Sequence, residues 1–130
     1  MLFEALDFLY VPSADVAAEV AYFTDVLGAE LVFAIEAMGT RVAMVRTAPD
    51  GPGVILAGHL HGERPVLVHR VADLDAAAAE LERRGCADVA RFEIPHGPCC
   101  ALSAPGGHRI AMYELTRPEV PERFAGRRDF

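Results

Sequence analysis

The sequence predicts an α+β fold of two βαβββ modules whose strands form one curled, cup-shaped mixed sheet. Three observations predict it. Strand-like and helix-like segments follow the same order twice, spaced by nearly sixty residues. Each half opens with a β-rich run that leads into a capped amphipathic helix. The local text also echoes, with VPSADVAAEVAYFTDVLGAE in the first half and VADLDAAAAELERRGCAD in the second. A chain of 130 residues is one domain by length, and its 52% hydrophobic and 24% charged content suits a packed globular core.

In the first half, Leu2–Val11 is rich in Leu, Phe, Tyr and Val and reads as a strand that Pro12 and Ser13 break. A helix over Asp15–Leu27 places Val16, Val20, Phe23 and Leu27 on one face, with Ser13 or Asp15 as N-cap and Gly28 as the left-handed stop. Extended pieces follow at Ala29–Glu36, Thr40–Thr47 and Gly53–His59, the last two joined through Pro49-Asp50-Gly51. In the second half, Pro65–Val71 is a strand and Asp73 caps a helix through Arg84. Leu74, Ala77 or Ala78, and Leu81 form its apolar stripe, and Gly85 ends it. Three more extended pieces are expected at Val89–Ile94, Pro98–Ser103 and His108–Leu115, with Pro105-Gly106-Gly107 as the tight turn. The expected organisation is a single domain over 1–116, with module one about 2–60 and module two about 65–116, then a tail over 117–130.

Composition excludes several chemistries. There is no Lys, Asn, Gln or Trp, so a lysine Schiff base, a P-loop ending in Lys and N-glycosylation are ruled out. Neither serine, Ser13 or Ser103, sits in a G-x-S-x-G elbow. Net charge is −7, and four of the 12 arginines lie in the last fourteen residues, so the body is more acidic still; this argues against nucleic acid. The apolar runs are too short for a membrane span, and acidic Glu4 and Asp7 stand where a signal peptide carries cations, so a cytoplasmic protein is expected. Cys86, Cys99 and Cys100 show no disulfide framework and read as small buried side chains in a reduced compartment.

Three stretches carry a family resemblance: LDFLYVPSADVAAEVAYFTDVLGAELVF, VLVHRVADLDAAAAELERRG and APGGHRIAMYE. Together they resemble the vicinal oxygen chelate superfamily, which includes glyoxalase I, extradiol dioxygenases and the bleomycin-resistance proteins. The resemblance implies a glyoxalase/bleomycin-resistance-like fold, a homodimer and, in catalytic members, a divalent metal held by a His on the first strand, a His or Gln on the strand opening the second module and a Glu on the last strand. Those positions fall here on Phe8, Val66 and Ala111, none of which can ligate a metal; a further Glu position matches Leu56 less surely. The last turn also departs from the family, with Ala104, Gly106 and His108 replacing its usual polar members.

Alternation along the strands then groups the candidate ligand-binding residues: Phe8, Tyr10, Val66, Val68, Arg109, Ala111 and Tyr113, with Leu6 and Arg70 on the same faces. Asp7 is expected on the opposite face from Phe8. The leading expectation is a binding protein for a small, flat or apolar organic molecule, with no cofactor, no metal and no catalytic residue. A metal-dependent glyoxalase or dioxygenase-type enzyme with displaced ligands such as His59, His61 or His69 is the alternative. A non-catalytic interaction module with a filled cup is the second alternative. His59, His61 and Glu63 read otherwise as solvated linker residues, and His69 as a hydrogen-bonded core histidine facing the helix. In the tail, Val120, Phe124 and Phe130 are spaced to dock on a partner subunit, the alternative being disorder.

Overall fold

The computed structural model describes all 130 residues. Eight strands, β1 (Ala5–Pro12), β2 (Glu30–Ala37), β3 (Thr40–Arg46), β4 (Gly53–Ala57), β5 (Val66–Val71), β6 (Ala90–Ile94), β7 (Gly97–Ser103) and β8 (Arg109–Glu114), form one mixed sheet. Its order is β2-β3-β4-β1-β5-β8-β7-β6, so each half builds the same four-stranded unit and the units join through antiparallel β1 and β5. Within each unit the first strand pairs in parallel with the last, β1 with β4 and β5 with β8. The duplication seen in the sequence is therefore a duplication of pairing. The observed strands trim or shift the expected ones by a few residues, most at Leu2–Glu4, which precede β1, and at Gly58–His59, which follow β4.

Helix α1 (Val16–Ala21) is capped by Asp15, whose carboxylate accepts from the Ala18 N–H at 3.0 Å, rather than by Ser13. Ser13 is 5% exposed and donates its hydroxyl to Glu19 at 2.6 Å. The expected single helix to Leu27 instead widens into a π-helical turn over Tyr22–Val26. That turn leaves Tyr22, Val26 and Leu27 exposed, which corrects the placing of Leu27 on the buried stripe. Helix α2 (Leu74–Arg83) follows the expected pattern, with Asp73 capping Ala76 at 3.0 Å and Leu74, Ala77 and Ala78 buried.

Each helix seals one apolar layer. Val16 and Val20 close over Ala34, Ala43, Val45, Val54 and Leu56 in the first half. Leu74, Ala77 and Ala78 close over Val71, Cys100 and Met112 in the second. A third cluster, Val68, Cys99, Ala111 and Tyr113 with Phe8, Tyr10, Val66, Ile94 and Leu115 packed against it, occupies the opposite face, inside the curl. Adjacent Cys99 and Cys100 point into different layers, as strand alternation requires, and burial pushes the Cys99 thiol up to about 12.

The C-terminal segment corrects an expectation. It is ordered and docks on its own chain. Arg117 is fastened beside β6, donating to the carbonyls of Pro95 at 2.8 Å and Ile94 at 2.7 Å and to Glu93 at 2.7 Å. A short helix α3 (Glu119–Phe124) then leads to the far edge of the sheet. There Gly126 N–H donates to Val32 O, Ala34 N–H to Arg127 O and Asp129 N–H to Ala34 O, at 2.7–2.9 Å. Phe130 packs on the first-half core under the Arg41 guanidinium, 4.6 Å from its ring centroid. The tail thus straps the two edge strands of the sheet together, and Phe124 lies between Phe33 of β2 and His96 of the β6–β7 turn.

Candidate functional site

Strand register brings the predicted lining residues together. Phe8, Val68 and Ala111 stand side by side across β1, β5 and β8, and Tyr10, Val66 and Arg109 form the next row. Tyr113 lies opposite Arg70, in the row on the other side of Phe8, Val68 and Ala111. The deepest of these, Val68, Ala111 and Tyr113, are 8%, 3% and 2% exposed, while Phe8, Tyr10, Val66 and Arg109 are half-buried. The chain itself supplies part of the covering, because His96 rests against both Phe8 and Tyr113, at ring separations of 5.6 and 5.9 Å. Two open clefts lie beside this face, the first sharing Arg109 with it and the second sharing none of its residues. One of about 490 Å3 is bounded by His61, Gly62, Glu63, Arg64 and Arg109 at the inter-module linker. The other, of about 330 Å3, runs between Ser13–Val16 and the β2–β3 turn.

Polar side chains occupy both ends of the apolar floor. At one end the Tyr10 hydroxyl and His59 Nε2 are hydrogen-bonded at 2.7 Å, and burial pushes the Tyr10 phenol up. His59 therefore touches the cup rim, whereas His61 contributes only its backbone oxygen, to Arg109. Arg109 is tied to the linker by that bond at 2.8 Å and another to Arg64 O at 3.0 Å. At the other end Tyr113 donates its hydroxyl to Asp7 Oδ2 at 2.6 Å, and Asp7 faces Arg70 Nε at 3.7 Å. Burial, then the bond to Asp7, push the Tyr113 phenol far above its ordinary value.

Asp7 is the residue that strict alternation misplaced. The β1–β5 register slips between Leu6 and Phe8, so one extra β1 residue bulges there. The slip lets Asp7 join the face of Arg70 and Tyr113, and it moves Leu6 opposite His69, away from Phe8. His69 itself keeps the expected face. It stacks on Phe3 at 4.2 Å, and its Nδ1 lies 3.4 Å from Ala111 O. His96, which is not among the expected lining residues, is brought to the cup by the β6–β7 hairpin.

The positions that the resemblance assigns to metal ligands carry no donor atoms. Phe8, Val66 and Ala111 face the cup as hydrocarbon, and Leu56, the further position, is fully buried in the helix-side layer. His59, His61 and His69 point to a rim, a linker and the opposite face, and no three His, Cys, Asp or Glu side chains gather to hold an ion. The residues present do not fit the family's metal.

Comparison with known proteins agrees with the architecture. The family model described as the Glyoxalase/Bleomycin resistance protein/Dioxygenase superfamily matches residues 5–112. The chain belongs to this superfamily. A methylmalonyl-CoA epimerase from Mycobacterium tuberculosis superposes with a TM-score of 0.71 at 21% identity, covering 88% of this chain and 90% of that one. A Streptomyces coelicolor methylmalonyl-CoA epimerase in complex with 2-nitronate-propionyl-CoA gives 0.69 at 18%, covering 88% and 96%. A hypothetical protein from Bacillus halodurans C-125 gives 0.67 at 14%, covering 84% and 92%. At these identities the likeness is one of fold. No curated protein matches the sequence. In this chain the positions that the resemblance assigns to metal ligands form a hydrocarbon floor, and the tail straps the sheet edges.

Proposed function

We propose that this superfamily member binds a small, flat or apolar organic molecule in its cup without a metal ion, through Phe8, Tyr10, Val66, Val68, Arg109, Ala111 and Tyr113. The observation that carries the reading is the contiguous aromatic and aliphatic face on β1, β5 and β8, which includes the three implied metal positions. Aromatic rings offer a guest large contact area and defined stacking geometry. Tyr10–His59 and Asp7–Tyr113 bracket that face with polar tips that orient a guest. His96 lies against the floor and Phe124 against His96, so the two rings cover this part of the face.

The test uses the untagged full chain. Elemental analysis, before and after dialysis against divalent metals, is followed by a thermal-shift screen of flat aromatic compounds in the presence of a chelator. The expected result is far less than one metal ion per chain and stabilisation by aromatic compounds that the chelator does not abolish. Near-stoichiometric metal that resists dialysis, or ligand binding that vanishes with chelation, overturns the reading.

A further inference from the structure

Two buried side-chain atoms in the whole chain lack a hydrogen-bond partner, Arg70 Nε and His96 Nδ1. Both belong to side chains at one end of the cup. Arg70 lies 3.7 Å from Asp7 Oδ2 and 3.7 Å from Glu4 Oε2, close enough to balance charge and too far for a hydrogen bond. His96 packs its ring on Phe8, Tyr113 and Phe124 without using a nitrogen. Tyr113 spends its proton on Asp7 at 2.6 Å and so has no donor left for His96 Nδ1. An unpaired buried polar atom is costly, so two orphans that flank the Asp7–Tyr113 hydrogen bond, one facing Asp7 and one on a ring packed against Tyr113, mark a missing partner.

We propose that the Asp7–Arg70–Tyr113–His96 end of the cup is a polar subsite that receives an uncharged hydroxyl group carried by the ligand. Geometry and charge narrow the choice. Arg70 Nε–H can only donate, so the incoming atom accepts. Asp7 and Glu4 already offset the guanidinium, so an anion would meet two carboxylates and a cation would meet Arg70. Arg117, the cation whose charge acts on His96, is fully engaged with Glu93 and the carbonyls of Pro95 and Ile94. Burial holds the His96 imidazole toward its neutral form, in which Nδ1 accepts a hydroxyl proton or donates to its oxygen. A hydroxyl both accepts and donates, and it is the simplest group that serves the two orphans.

This inference rests on the cup-binding reading and deepens it, so the probes separate the two. Three naphthalenes that differ at one position are compared by thermal shift and calorimetry on the full chain: 2-naphthylmethanol, 2-ethylnaphthalene and 2-naphthoate. The alcohol is expected to bind about tenfold more tightly than the hydrocarbon, the scale of one net hydrogen bond of about 1.4 kcal/mol. It is also expected to bind more tightly than the carboxylate. His96→Phe keeps the ring contacts and removes the nitrogen, and Arg70→Met removes the donor. In either folded variant the preference for the alcohol should shrink toward parity. Equal binding of alcohol and hydrocarbon overturns the subsite and leaves the cup reading standing, with water serving the orphan atoms. Tightest binding by the carboxylate overturns the charge argument and the proposal with it. An unchanged alcohol preference in both variants does the same. Binding of none of the three overturns both readings together.

Discussion

Installing the family's ligands on the hydrocarbon floor tests the assignment of the cup directly. The perturbation is the triple variant Phe8→His, Val66→His and Ala111→Glu. Phe8 and Ala111 occupy one row, on the two strands flanking β5, and Val66 lies between them in the adjacent row. Neighbouring strands are about 4.8 Å apart, so the three side chains start within about 10 Å of each other on one face and can converge on a single ion. The cost is concentrated at Ala111, 3% exposed, where an unpaired carboxylate in a hydrocarbon layer costs about 3–5 kcal/mol. Without metal the variant should therefore melt well below the parent. With Zn2+ or Ni2+ at about a hundred times Kd it should regain about 2.7 kcal/mol. For a chain of this length that is a rise of about 10 °C in Tm. The assay is paired thermal melts with and without metal, with elemental analysis of the untagged protein. A variant that folds and shows neither metal uptake nor a metal-dependent Tm refutes the placement of Phe8, Val66 and Ala111.

Other consequences follow from particular residues. Met38 sits fully exposed at the tip of the β2–β3 hairpin with φ +53°, followed by Gly39 at +76°, a pair of left-handed residues that favours Asn-Gly. Met38→Asn should stabilise by about 0.5–1 kcal/mol in denaturant titration; an unchanged midpoint contradicts the strain argument. Burial lowers the His96 pKa below its ordinary 6.5, so the unfolded chain binds its proton first as pH falls. Stability should therefore be complete above about pH 6.5 and decline below it, and His96→Phe should flatten that slope; an unaltered acid limb contradicts it. Deleting residues 118–130 removes the partners of Val32, Ala34 and Glu36 on the β2 edge and uncovers Phe33. An unpaired, flat edge invites pairing with another chain, so light scattering should show concentration-dependent association that the full chain lacks. A truncated chain that scatters like the parent argues against the strap as edge protection.

The fold was legible because it is written twice in local signals. Asp15 and Asp73 cap helices at equivalent places, and period-2 runs recur around them, so the order of elements and the grouping of Phe8, Val68 and Ala111 follow from the residues. The failures share one physical origin, since each depends on contacts between distant segments. A bulge is one extra residue in a ladder, and nothing in ALDFLY marks where β5 forces it, yet it decides that Asp7 rather than Leu6 joins the cup. His96 sits in a hairpin turn, and only the curl of the sheet carries that turn over Phe8 and Tyr113. The spacing of Val120, Phe124 and Phe130 predicts docking on a partner subunit, but the acceptor is the chain's own β2 edge, some ninety residues earlier. The polarity of the proposed binding cup comes from those same long-range placements. The apolar floor follows from alternation, whereas the placing of Asp7, His96 and the strap around it arises only when both modules are folded against each other.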